Sequence, residues 1–173
     1  MQHLEVKPYI NENQLQKKVS ELGAELTKKF KDKKIVAICV LKGSFIFYSD
    51  LIRQIDSDIT CEFLGVSSYQ GLSSSGEVKV TLDLTQPIEG KHVILVEDIV
   101  DTGTTLEYLL EMLALRKPKT LRVAAILDKP SRRKHNVPVE YIGFSVPDEF
   151  LVGYGLDYAQ DYRTLRDVCV LTQ

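Results

Sequence analysis

The sequence predicts an α/β fold, a central and mostly parallel sheet flanked by helices. Three observations lead there. Residues 35–41 and 93–96 are continuous apolar runs, and 121–127 is apolar except for Arg122, the pattern of strands covered on both faces. The segments between them carry apolar residues at helical spacing. The resulting order, strand, helix, strand, helix, strand, is that of parallel β-α-β units.

Taken in order, residues 11–30 read as an amphipathic helix. Leu15, Val19, Leu22, Leu26 and Phe30 recur on one side, with Lys and Glu between them, and Asn11 or Asn13 supplies a cap. Residues 35–41 follow as the first buried strand. Residues 43–55 return to helical spacing through Phe47, Leu51 and Ile55. Alternation at Ile59, Cys61 and Phe63 predicts a strand over 59–69. The small polar stretch 67–76 predicts a mobile loop, and Val78, Val80 and Leu82 alternate after it as the second arm of a long hairpin. Residues 92–96 are the next buried strand. Residues 105–115 form a helix with Leu106, Leu109, Leu110 and Leu113 on one side, and 121–127 a further strand. Beyond Pro138 the chain reads as short strands and turns, punctuated by Pro147, Gly153 and Gly155.

The chain has 173 residues, 44% hydrophobic and 27% charged. That is ordinary for one folded domain, and no linker or repeat divides it, so 1–173 is expected as a single domain. No apolar run reaches the roughly 18 residues that cross a bilayer, and the first residues lack the apolar core of a secretory signal. A cytoplasmic protein without membrane contact is expected. The net charge of −2 gives no general attraction to nucleic acid. Cys39, Cys61 and Cys169 are far apart and form no C-x-x-C pair, which argues against zinc or a redox dithiol.

The informative segment is Val93-Ile-Leu-Val-Glu-Asp-Ile-Val-Asp-Thr-Gly-Thr-Thr105. A buried strand ends in adjacent carboxylates, Glu97 and Asp98. Asp101 follows, then a Thr-Gly-Thr-Thr turn opening a helix. Ligands of open α/β sheets bind beyond the carboxyl ends of the strands. Backbone N–H groups, threonine hydroxyls and a helix N-terminus suit a phosphate, and Gly103 lets the backbone approach it. Acids beside a phosphate site need a reason: they accept hydrogen bonds from sugar hydroxyls, or hold Mg²⁺ against further phosphates. A sugar phosphorylated at two positions satisfies both. For Asp101 and Thr102 taken alone, a capped helix start explains the residues equally well.

This segment resembles the phosphoribosyl-diphosphate (PRPP) signature of the type I phosphoribosyltransferases. Leu41-Lys42-Gly43-Ser44, Ser67-Ser68-Tyr69, Leu127-Asp128-Lys129-Pro130 and the block from Pro147 to Asp157 are similar, in the same order, to hypoxanthine-guanine phosphoribosyltransferases. The resemblance implies the type I fold, with a small hood built from the N-terminal segment and roughly 130–173 that carries the purine-recognition residues. It implies transfer of phosphoribose from PRPP to N9 of hypoxanthine or guanine, giving IMP or GMP, with Mg²⁺ as cofactor and a homo-oligomer, dimer or tetramer, as the working form.

It also implies roles. Thr102, Gly103, Thr104 and Thr105 would cradle the 5′-phosphate. Glu97 and Asp98 would face the ribose hydroxyls and the Mg²⁺ region, and Asp157, counted with the purine-binding residues, would also coordinate Mg²⁺ bridging pyrophosphate. Asp101 would accept the proton at purine N7. Lys42 and Gly43, whose shared peptide family members turn cis, would line the pyrophosphate with Arg163. Lys129 would donate to the purine 6-oxo group, Phe150 would stack on the ring, and the Leu151 backbone would read its edge. Ser68 and Tyr69 would close the loop as a lid that excludes water.

Without the resemblance, plainer readings stand beside these. Lys42 is an exposed helix-start lysine, Arg163 pairs with Asp161 or Asp167, Lys129 faces solvent, Phe150 is core and Asp157 closes an Asx-turn. The cluster Lys129, Arg132, Arg133, Lys134 and His135 reads as a solvated loop or a subunit contact, with Arg133 steering a polyanionic substrate. Two other functions share the fold: a nucleotide-sensing regulator that binds nucleic acid, and a transferase for another base. Asp101, Lys129 and Phe150 together favour the 6-oxopurine enzyme.

Overall fold

A computed structural model describes residues 4–68 and 78–172. The elements run β1 (Glu5–Ile10), α1 (Glu12–Lys29), β2 (Ile35–Leu41), α2 (Phe45–Ile52), β3 (Ile59–Ser68), β4 (Val78–Leu82), β5 (His92–Val100), α3 (Thr104–Ala114), β6 (Thr120–Asp128), β7 (Tyr141–Ser145), β8 (Leu151–Val152) and β9 (Val168–Thr172). A 3₁₀ turn, Pro130–Arg132, follows β6.

Six strands form the central sheet in the order β4-β3-β2-β5-β6-β7. The pairs β3–β2, β2–β5, β5–β6 and β6–β7 are parallel, and β4 returns antiparallel on β3. Both faces of the sheet are covered, which is why its inner strands read as unbroken apolar runs. On one face Ile35, Ala37, Cys39, Ile94 and Val96 pack with Leu15, Val19, Leu22 and Leu26 of α1 and Phe47 and Leu51 of α2. On the other, Val36, Ile38, Val40, Val93 and Leu95 pack with Leu106, Leu109 and Leu113 of α3.

Local chemistry sets most boundaries. Asn11 caps α1 in a reciprocal capping box with Gln14. The helix after β2 is shorter than the spacing suggests. It opens only after Ser44, whose hydroxyl bonds the Val40 carbonyl 2.5 Å away, and it closes at Ile52, although Ile55 stays buried.

The hood is a three-stranded antiparallel sheet, β1-β9-β8. It joins the two ends of the chain: Glu5 faces Thr172 and Ile10 faces Val168. No helix among the described residues is long and apolar enough to cross a membrane.

Candidate active site

The sequence places the carboxylates at the end of a strand, but β5 continues through Glu97 and Asp98 to Val100. It does so because β6 keeps pairing with it as far as Val100 opposite Asp128. Strand alternation therefore sends the two acids to different cavities. Glu97 lines a small cavity of about 90 Å³ with Asp101, Thr102, Gly103 and Thr105. Asp98 lines a larger one of about 390 Å³ with Asp101, Lys129, Arg132, Phe150, Leu151 and Asp157. Asp101 borders both.

The small cavity is the bend between β5 and α3. Gly103 is the N-cap of α3 and sits at φ 87°, a left-handed conformation that favours glycine. The N-cap residue itself supplies no capping side chain, and the first helical N–H, of Thr104, makes one long bond of 3.4 Å to the Thr102 hydroxyl. Thr102 and Thr104 also share a hydroxyl contact of 3.1 Å. Side-chain capping of this start is limited to that one long bond, and the N–H groups after Thr104 remain available to an anion.

Burial raises both strand acids. Glu97 is pushed well above the ordinary carboxylate range by desolvation and then by the neighbouring Asp98 charge. Desolvation likewise lifts Asp98 to about 6, with Asp157 adding to the rise and Arg163 opposing it. Asp98 and Asp157 therefore feel one another across the larger cavity. Among the described residues no three acids, histidines or cysteines converge as a metal cage. Two carboxylates bordering one cavity still fit a hard divalent cation that takes its remaining ligands from water and substrate phosphates.

Lys129 enters the larger cavity from the end of β6, in the central sheet and not in the hood as expected. It is only 7% exposed, so it is no solvent-facing turn residue. Its Nζ donates to the Glu149 carbonyl at 2.6 Å and lies 4.0 Å from Asp148. Phe150 is half-exposed and stands edge-on to Tyr158, with centroids 5.6 Å apart. It is not core; its ring is an apolar face left open. Leu151, the next residue, is buried in β8.

Asp101 Oδ1 lies 2.8 Å from Arg132 Nε. The N–H is not aligned on it, so this buried oxygen has an ion-pair neighbour but no hydrogen bond. Arg132 also reaches Asp148 at 3.3 Å.

At the far side, Arg163 pairs with Asp157 at 2.9 Å, not with Asp161 or Asp167. It also donates to the Gly155 carbonyl and to Gln160. Gln160 Oε1 accepts from Lys42 Nζ at 3.4 Å as well as from Arg163, and the Gln160 backbone N–H donates to Asp157. One residue thus joins Lys42 and Arg163 through its side chain and Asp157 through its backbone. The cis peptide bond is Leu41–Lys42, one residue before the expected Lys42–Gly43. The glycine is needed for space: a Cβ at Gly43 would fall on the Asp98 carboxylate.

The fold thus brings together Glu97, Asp98, Asp101, the 102–105 turn, Lys129, Phe150, Leu151 and Asp157. Lys42, Gly43 and Arg163 form the adjoining wall. Of the expected lid, Ser68 ends β3, and Tyr69 lies outside the described residues. Arg132, Gln160 and Tyr158 were not foreseen in these roles. Their partners are distant in sequence or sit in a turn without periodicity, so no local signal marks them.

Comparison with known proteins agrees with this geometry. The family model for the phosphoribosyl transferase domain matches residues 9–159. The chain is 48% identical over 172 residues to the hypoxanthine-guanine phosphoribosyltransferase of Bacillus subtilis, covering 99% of this chain and 96% of that one. A crystal structure of a hypoxanthine-guanine phosphoribosyltransferase from Bacillus anthracis superposes with TM-score 0.92 at 45% identity, covering 99% and 100%. The hypoxanthine phosphoribosyltransferase of Trypanosoma cruzi, in complex with the product IMP, superposes with TM-score 0.90 at 40% identity, covering 96% and 94%. A glycine-led helix start flanked by buried acids, on this sheet and in this company, places the chain in the phosphoribosyltransferase family.

Proposed function

We infer that this protein transfers the 5-phosphoribosyl group from PRPP to N9 of hypoxanthine or guanine, giving IMP or GMP and pyrophosphate. One observation carries the choice of base: a buried lysine, an open aromatic face and an aspartate border one cavity, next to a phosphate-binding bend. Hypoxanthine and guanine present a 6-oxo acceptor to an ammonium, whereas adenine presents an amino donor that the ammonium repels. Phe150 offers a stacking surface and Leu151 a backbone edge. The named relatives act on the same class of base.

The reaction breaks the C1′–O bond of PRPP and forms a C1′–N9 bond. The purine loses one proton, and Asp101 is the group that receives it at N7. Its Oδ1, buried without an aligned donor, is an acceptor waiting for an N–H. Such transfer contributes roughly 10²–10⁴ in rate. The turn from Thr102 to Thr105 holds the 5′-phosphate, and Glu97 faces the sugar from the same cavity. Lys42, Gly43 and Arg163 line the pyrophosphate. Mg²⁺ would be held by Asp98 and Asp157, which border the larger cavity while Glu97 borders the smaller one, and when bound it neutralises the leaving diphosphate.

The chain works as one domain, 1–173, in the cytoplasm, where its three free thiols suit a reducing medium. A homo-oligomer, dimer or tetramer, is its working form. Phe45 and Phe63, each 41% exposed on the neighbouring α2 and β3, supply apolar surface for that contact. Nucleic acid is not a partner in this reading.

The test mixes protein, Mg²⁺ and PRPP with hypoxanthine, guanine, xanthine or adenine and follows nucleotide by absorbance. Product with hypoxanthine or guanine is expected, and its absence defeats the reading. Asp101→Asn should lower turnover by about 10²-fold or more while still binding IMP. Full turnover in that variant would remove Asp101 from its role.

A further inference from the structure

Arg133 is expected from the sequence at the surface, steering substrate. The fold turns it inward. Its side chain is 20% exposed, and its Nη2 makes a very short contact with the Asp128 carboxylate, itself buried at the end of β6. Its Nε donates to the Asp101 carbonyl at 3.2 Å, and Nη2 reaches the Val100 carbonyl at 3.5 Å. Its stem passes the phosphate bend, where Cδ stands 3.2 Å from the position a Cβ would take on Gly103.

We propose that Arg133, paired with Asp128, is a positioning residue of the transfer reaction, fixing the Asp101 bend relative to Lys129. This rests on the function proposed above. Asp101 and Lys129 must meet N7 and O6, neighbouring atoms on one edge of one rigid ring, so their separation has to be set before the base arrives. Asp101 stands just after β5 and Lys129 just after β6. A single planar guanidinium bonds the backbone of Asp101 on one side and the residue preceding Lys129 on the other. The same junction is tightened by Lys129 N–H to the Val100 carbonyl at 2.9 Å, and by Lys134 and His135 N–H to the Thr102 carbonyl at 2.9 and 3.1 Å. Only arginine suits the post. Its fork offers five donors in one plane, enough for a carboxylate and two carbonyls, where lysine is a point charge.

A misplacement of about 1 Å at a reacting group costs on the order of 10²-fold in rate. Two variants test the clamp. Arg133→Lys keeps the charge and loses the fork. The double variant Arg133→Gln with Asp128→Asn removes both charges, so no unpaired carboxylate is left buried to unfold the protein. Calorimetric titration with IMP counts the competent sites, and kcat is expressed per competent site. We expect kcat per site to fall about tenfold to a hundredfold in both variants, with the KM for PRPP unchanged. A purely structural residue would lower the count of competent sites and leave kcat per site at the wild-type value; that result overturns the proposal. A rise in the KM for PRPP with kcat unchanged would overturn it too, by making Arg133 a binding residue. Wild-type protein that makes no nucleotide would instead sink the function on which the proposal rests.

Discussion

Lys129→Met is the most direct probe of base recognition. Methionine keeps the length and bulk of the stem and removes the ammonium. In the fold the Nζ has one backbone acceptor, the Glu149 carbonyl at 2.6 Å, and a distant carboxylate, Asp148 at 4.0 Å. Asp148 is 55% exposed, so it returns to water at little cost. The orphaned carbonyl costs about 1–3 kcal/mol. Relief from burying an ammonium offsets much of that, so the variant should fold. The bond lost to the 6-oxo oxygen is charge-assisted and contributes about 1.5–3 kcal/mol. At about 1.4 kcal/mol per tenfold, kcat/KM for hypoxanthine should fall roughly 10- to 150-fold. The ratio of hypoxanthine to adenine should shrink as well, since the repulsion of the adenine amino group goes with the charge. Steady-state assays on both bases, with a thermal melt as control, measure this. An unchanged kcat/KM for hypoxanthine in a folded variant would refute the argument from Lys129.

Further predictions concern the bend, the buried acids and the aromatic face. Gly103→Ala places a Cβ 2.9 Å from the His135 carbonyl oxygen at φ 87°, and the left-handed penalty alone is about 1–2 kcal/mol. Its melting temperature should drop by about 2–8 °C, and calorimetry should show weaker IMP binding. Asp98 is an acid whose affinity for its proton rises on folding, to about 6 from 3.8. Between those values the native state binds more protons than the unfolded chain, so stability falls as pH rises through that window and stays reduced above it. Asp98→Asn should therefore gain up to about 3 kcal/mol in urea unfolding at pH 7.5, with the gain fading below about pH 4. A variant no more stable than wild type at pH 7.5 would contradict the burial argument. Phe150→Ala should raise the KM for hypoxanthine by about 1–3 kcal/mol of lost stacking, while the melt barely moves because the ring is half-exposed.

What the sequence determined by itself is whatever depends on near neighbours. The span of β2, the alternation of β4, the Asn11 cap and the leucine side of α3 all follow from spacing within a few residues, since buried strands and helices announce the surface they must hide. The acid-rich bend was legible for the same reason, because strand, turn and helix start are contiguous. The course of β5 through Glu97 and Asp98 was not, because it depends on how far β6 keeps pairing with it. Nor was the inward turn of Arg133, the Gln160 junction or the half-exposed ring of Phe150. A charged or amphipathic side chain points wherever its partners lie. Here those partners are carbonyls and carboxylates brought in from other strands, so only the tertiary structure could decide where it goes.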